Sequence, residues 1–213
     1  MKNSKNLTYQ EFCNIRKNIL ASHDDDHVFF QTNSSILISA PHGVSQVRLG
    51  KFKQAERGTI PLAFEVAKRT NASLIIKTRN DDDDANFFEH SLYRQKLNEI
   101  IETQKIRYLI DFHGLAKSRP CDINLGINFG QNISLNTHLF DSLVRSLESN
   151  GFSVFIDIPF AAGPKTIAGS TAKKFNIWTI QIEVNSKLTN EPANIEKCNR
   201  LINTIVDWIN RNY

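Results

Sequence analysis

The sequence predicts a single α/β domain of three layers, with a central mixed, mostly parallel sheet and helices on both faces. Three observations point there. The 213 residues, 40% hydrophobic and 23% charged, are enough for one full-sized core and too few for two. Short, β-branched, almost continuously apolar runs alternate with segments of helical period from Ser35 onward. No internal repeat, low-complexity linker or Pro/Gly-rich boundary breaks that alternation.

Residues 1–34 read as an N-terminal extension and 35–213 as the domain proper. Within the extension, Tyr9 to Leu20 has an amphipathic helical pattern, and the Ser22–His27 stretch SHDDDH reads as an exposed turn without function. Strands are expected at Ser35–Ala40, Ser73–Thr78, Ile106–Phe112, Asp122–Ile127, Ser153–Ile158 and Trp178–Val184. Their unbroken apolar character suits interior strands covered on both faces. Between them, Thr59–Thr70 reads as a helix capped by Thr59, followed by helices at Phe88–Thr103 and Leu135–Asn150, the last stopped by Gly151. The C-terminal helix has the clearest signal: Ile195, Cys198, Ile202, Ile205 and Ile209 recur every three or four residues behind Asn190 and Pro192.

Composition narrows the function. Lys and Arg number 26 against 22 Asp and Glu, a net charge of +4 that is spread along the chain, so a nucleic-acid partner is not expected. No run approaches the ~18 apolar residues of a membrane span and the first residues hold no apolar signal core, so the expectation is a cytoplasmic protein with no membrane partner. Cys13, Cys121 and Cys198 are odd in number and far apart, which leaves any metal to be held by histidines and carboxylates.

Ligands of open α/β sheets bind beyond the carboxyl ends of the strands. Three polar positions stand there. The first strand ends in Ala40-Pro41-His42-Gly43, leaving an imidazole at its tip. The third runs into Asp111-Phe112-His113-Gly114, where alternation puts Asp111 and His113 on one face, so that Asp111 is placed to orient His113. The last holds Glu183 inside an apolar run, where an unpaired charge is costly and demands a partner. Two histidines and a glutamate from separate strands suggest a zinc or carboxylate-assisted hydrolytic centre. Arg79, just past the second strand, is expected to bind a substrate carboxylate through its planar fork, with Arg94, Arg119 and Arg48 as further candidates. The aspartates Asp81–Asp84 lack the glycine and distal glutamate of an EF-hand loop and read as a solvated loop. Ala161–Thr166 (AAGPKT) reads as a mobile loop near the site.

These segments together resemble the N-formylglutamate amidohydrolase family, zinc-dependent hydrolases whose sheet is similar to that of carboxypeptidase-like exopeptidases. The residues that carry the likeness are SAPHG (Ser39–Gly43), RLGKFKQAERGT (Arg48–Thr59), TRNDDDDANF (Thr78–Phe87), IDFHG (Ile110–Gly114), DINLG (Asp122–Gly126) and QIE (Gln181–Glu183). The resemblance implies one Zn2+ or other divalent transition metal per chain, held by His42, Glu56 and His113, with Glu183 as the catalytic carboxylate and Asn86 as a substrate contact. It implies cleavage of the C–N amide bond of an N-formyl or similarly acylated acidic amino acid, or of a γ-glutamyl-type or peptide-like substrate. Two departures matter: Ser45 stands three residues after His42, where many exopeptidases place a glutamate, and Ala85-Asn86-Phe87 replaces an Asn-Arg pair. A solvated Glu56 among Lys51, Lys53 and Arg57 is the competing reading of that residue, with Glu65 a weaker ligand candidate. A non-catalytic small-ligand-binding domain is the competing reading of the whole.

Overall fold

The computed structural model describes residues 6–213. One seven-stranded sheet forms the centre: β1 (His27–Phe30), β2 (Ile36–Ala40), β5 (Ser73–Lys77), β6 (Tyr108–Leu115), β7 (Ile123–Gly126), β8 (Val154–Ile156) and β9 (Trp178–Asn185), in the order β1-β5-β2-β6-β9-β7-β8. Strands β5, β2, β6 and β9 run parallel, while β1 and β7 pair antiparallel to their inner neighbours, so the sheet is mixed and mostly parallel as the sequence predicts. A separate hairpin, β3 (Gln46–Arg48) with β4 (Lys51–Lys53), turns through Leu49 and Gly50, both at positive φ. Positive φ at both central residues is what a tight two-residue hairpin turn requires.

Helices cover both faces. On one lie α1 (Tyr9–Ser22), α2 (Thr59–Thr70), α4 (Thr137–Ser149) and α7 (Ile195–Asn212), whose apolar stripes share a core with Ile110, Phe112, Ile180 and Ile182 of the central strands. On the other, α3 (Leu92–Thr103) and α5 (Ile167–Phe175) share a smaller core with Leu37, Ile75 and Leu109. The short α6 (Ser186–Asn190) follows β9 directly. The second face is divided along the strands. Its apolar residues lie at the amino ends, and Ser39, Asp111, His113, Gln181 and Glu183 occupy the carboxyl ends, all buried.

Where expectation and structure differ, the reasons are local. Residues His27–Phe30 form an edge strand, too short for its alternation to register in the sequence. Helix α5 was not expected in the segment after Ala161–Thr166; Thr166 caps it by accepting from Gly169 N. Thr59 is the first residue of α2 rather than its cap, and its hydroxyl donates instead to the Glu56 carbonyl at 2.8 Å. Helix α3 begins at Leu92 because Ser91 caps it by accepting from Arg94 N. Among the described residues no helix is long and apolar enough to cross a membrane.

One helix side chain completes the sheet. The buried Tyr93 hydroxyl of α3 donates to Ile75 O (3.0 Å), accepts from Ala40 N (3.1 Å) and contacts Ser39 Oγ (2.9 Å), bridging β2 and β5 near their carboxyl ends.

The aspartate-rich turn before β1 is not simply exposed. Lys77, fully buried at the end of β5, hydrogen-bonds Asp26 and lies 2.9 Å from Asp83 Oδ1. The Asp26 carbonyl accepts from Thr78 N and Arg79 N. Burial opposes charge on the Asp26 carboxyl, but hydrogen bonds with His27, Asp81 and Lys77, together with the ammonium charge, outweigh it and hold the pKa well below the usual carboxylate range. Removing one partner of a buried ion pair strands the other. Lys77→Met is therefore expected to lower stability by about 3–5 kcal/mol in urea unfolding. A depressed carboxylate pKa stabilises the fold above the unfolded value of about 3.9, and this contribution is lost as pH falls toward the native value. The stability gap between wild type and Asp26→Asn is accordingly expected to narrow on acidification from about pH 5 to pH 2.

Candidate metal centre

Three groups converge at the carboxyl end of β2 and β6: His42, Glu56 and His113 each place a possible ligand atom within 4.8 Å of the others. His42 stands two residues past β2, where Pro41 and Gly43 turn the chain. A Cβ on Gly43 would lie 2.2 Å from Ile60 Cγ1, so only glycine allows the turn to pack on α2. His113 lies late in β6, directly opposite Glu183 in the parallel register with β9, just as Asp111 lies opposite Gln181. Glu56 arrives from the loop after β4. Its N–H donates to the His42 carbonyl (2.9 Å), and its Oε2 accepts from Gly114 N (2.7 Å). A Cβ on Gly114 would stand 2.9 Å from Glu56 Cβ, so this approach too depends on glycine.

Hydrogen bonds fix the orientation of both imidazoles. His42 Nε2 is 2.9 Å from Asp84 Oδ1, and His113 Nε2 is 2.9 Å from Asp111 Oδ2. An ionised carboxylate only accepts, so each Nε2 carries the proton and each neutral ring presents the Nδ1 lone pair inward. Those two Nδ1 atoms face each other at 3.1 Å, and His42 Nδ1 lies 2.9 Å from Glu56 Oε1. Two lone pairs and a carboxylate cannot share this space without a cation or an extra proton. The donor set therefore fits a divalent metal: two ligand atoms about 2.0–2.1 Å from one ion at a tetrahedral angle stand roughly 3.3 Å apart.

Without a metal, the electrostatics favour the extra proton. Burial opposes charge on His42, but Glu56 and Asp84 outweigh it and raise its pKa to about 10. Burial likewise opposes charge on His113, and Asp111 overcomes it to raise that pKa. Burial opposes charge on the half-buried Glu56, but the His42 charge and hydrogen bond outweigh it and lower its pKa. Glu183 goes the other way: burial raises its pKa to about 7, only partly countered by His113. Gln181 Nε2 donates to Glu183 Oε1 at 2.7 Å.

Asp84 is the residue that sequence reasoning missed. The solvated reading of Asp81–Asp84 fails for this position, which is fully buried and holds His42 on one oxygen and Arg48 (2.7 Å) on the other. The available signal was the Ala85-Asn86 that follows, since a chain turning inward at Ala85 carries its neighbour with it. The arginine expectations also need correction. Arg79 is exposed, pairs with Asp24 at 2.6 Å and does not line the site, because it turns toward the N-terminal segment that flanks β5. Arg94 is buried and donates to Ala85 O (2.6 Å) and Lys165 O (2.5 Å), tying together two loops beside the site instead of facing substrate. Arg119 does not line the site either. Asn86 does line it, with its side-chain oxygen occupied by Ile167 N at 2.7 Å.

Above the triad lies a cleft of about 330 Å³ containing Glu183, Arg48, Lys53, Lys165, Phe87 and Phe160. Arg48 lies over the Phe87 ring at 4.8 Å. The cationic wall is therefore Arg48, Lys53 and Lys165, not Arg79.

This geometry predicts about one equivalent of bound divalent transition metal, lost in His42→Ala and in His113→Ala by elemental analysis of untagged protein. Asp84→Asn and Asp111→Asn, which loosen a ring without removing a ligand, are expected to weaken metal affinity by about 10–100-fold in chelator competition. Wild-type protein that stays metal-free after incubation with zinc supports the ligand-binding reading instead.

No family model matches the sequence, and no curated protein matches it. Solved structures do. N-formylglutamate amidohydrolase from Ralstonia eutropha JMP134 superposes with a TM-score of 0.60 at 14% identity, covering 88% of this chain and 99% of that one. A bacteriophage poly-gamma-glutamate hydrolase gives a TM-score of 0.52 at 17% identity over 92% of both chains. A metallo-carboxypeptidase from Burkholderia cenocepacia gives 0.53 at 11% identity, covering 88% of this chain but 62% of its own length. At these identities the likeness is one of architecture: the chain has the α/β fold that these hydrolases share.

Proposed function

We propose that this chain is a zinc-dependent amidohydrolase that cleaves the C–N bond of an N-acylated acidic amino acid or a γ-glutamyl-type substrate. The observation that carries the reading is the convergence of two Nδ1 atoms, on rings whose Nε2 atoms are held by Asp84 and Asp111, with Glu56 beside the buried Glu183. The three hydrolase neighbours support it. His42, Glu56 and His113 would hold a zinc ion, which when bound would supply polarisation of the substrate carbonyl and a lowered water pKa of about 7.

The chain's own residues do the rest. Asp84 and Asp111 hold the two rings as neutral donors and stabilise them when charge accumulates nearby. Glu183 takes a proton from the attacking water as its oxygen bonds to the carbonyl carbon. It then passes that proton to the amide nitrogen as the C–N bond breaks, so the products are a carboxylic acid and an amine, and transfer of the acid's proton to the amine leaves a carboxylate and an ammonium. Gln181 keeps the Glu183 carboxylate in place through the 2.7 Å hydrogen bond. Burial suits this carboxylate for both steps, since a pKa near 7 lets it accept and release a proton with similar ease. Arg48, Lys53 and Lys165 favour an acidic substrate. Lys165 has no ion-pair partner among the described residues, whereas Arg48 and Lys53 lie 2.7 and 3.6 Å from Asp84.

Glu183→Gln preserves shape and removes the proton acceptor. In zinc-loaded protein it is expected to lower kcat by about 10²–10⁴-fold with little change in metal content. Near wild-type turnover makes Glu183 structural, and loss of metal makes it a ligand. Lys165→Ala is expected to raise KM for acidic substrates more than for their neutral amides.

A further inference from the structure

The triad is reached from two sides. Besides the cationic cleft, a second cavity of about 340 Å³ touches Glu56, His113 and Gly114, and the two cavities share these three residues. The second is walled by neutral groups, among them Gln54, Thr59, Leu62, Ser186 and Asn190. A third cavity of about 480 Å³ adjoins it, the two sharing Gln54, Ala55, Thr189 and Asn190 as lining. That third space, beside α1, is edged by Arg16 and Arg57. Arg16 is half-buried and anchored by a hydrogen bond from Nε to Gly43 O at 3.1 Å. Neither guanidinium forms an ion pair among the described residues. Burial and the neighbouring Arg57 charge both push against charge on Arg16, an unfavourable arrangement that a bound anion relieves.

Resting on the amidohydrolase reading, the geometry points to a substrate that crosses the metal centre: an extended acidic oligoamide, with the leaving amine side in the cationic cleft and the acyl side running through the neutral cavity toward Arg16 and Arg57. Glu183 decides the direction. It lines the cationic cleft and not the neutral cavity, so the nitrogen that receives its proton belongs on the cleft side. The acyl group then faces a cavity of about 340 Å³, far more than a formyl group fills. Cationic groups at both ends with a neutral stretch between them match a chain that carries carboxylates on either side of the scissile bond.

The test uses the zinc-loaded full chain with N-capped glutamate oligomers of one to six residues, in both α- and γ-linkage, with products resolved by mass. In one linkage, kcat/KM is expected to rise at least tenfold from N-formylglutamate to the pentamer, with cuts at internal bonds. Replacing both arginines (Arg16→Ala with Arg57→Ala) is expected to reduce the ratio of pentamer to N-formylglutamate kcat/KM at least tenfold. Arg57→Glu, at an exposed position, is expected to move that ratio in the same direction without threatening the fold. Hydrolysis of N-formylglutamate as fast as of the pentamer, or a ratio unchanged in the arginine variants, overturns the extended substrate and leaves the amidohydrolase standing. No hydrolysis of any member overturns both.

Discussion

An imidazole has two nitrogens, and a protein that commits one of them decides what the other can do. Here Asp84 and Asp111 each claim an Nε2, and everything at the centre follows from that pair of hydrogen bonds. With the outer nitrogens protonated, the inner ones have only lone pairs to offer, aimed at one point beside Glu56. The raised pKa of His42 describes the same requirement in the absence of metal, since a proton is the smallest cation that relieves it. The two carboxylates thus orient both histidines so that their inner nitrogens form a donor set that fits a cation.

The sheet supplies the precision this needs. In parallel, in-register strands, equivalent residues of neighbours point to the same face, so β6 and β9 place Asp111, His113, Gln181 and Glu183 as a block of four. Their opposite faces carry Ile110, Phe112, Ile180 and Ile182 into the larger core. A slip of one residue in this pairing would bury the polar block among those side chains, so the apolar face enforces the register on which the polar face depends.

Much of this is legible in the sequence. His42 and His113 stand out because polar residues at strand tips interrupt apolar runs, and Glu183 because a carboxylate inside such a run needs a reason. The same logic exposes Asp111 through alternation. It could not expose Asp84, which sits in a run of four aspartates whose charge density suggests water, and only the long-range contact with His42 distinguishes it from its neighbours. Arg79 failed for a different reason: position after a strand gives proximity to the sheet edge but not direction, and Asp24 draws the guanidinium away. Helix α5 and the β3–β4 hairpin were missed because each is short and held by a cap or turn, where periodicity has too few residues to speak. The edge strand β1 shares that weakness, having four residues that are all half-buried.

Tyr93 ties the two layers together in a way that strand pairing alone does not. Its hydroxyl adds a rung between β2 and β5, so the backbone at Ala40 is held by a helix side chain as well as by its neighbouring strand. Burial keeps the phenol neutral across the ordinary pH range, so the rung does not switch with acidity. Amide exchange at Ala40 consequently reads the docking of α3, a layer that contributes no ligand atom to the cluster of His42, Glu56 and His113.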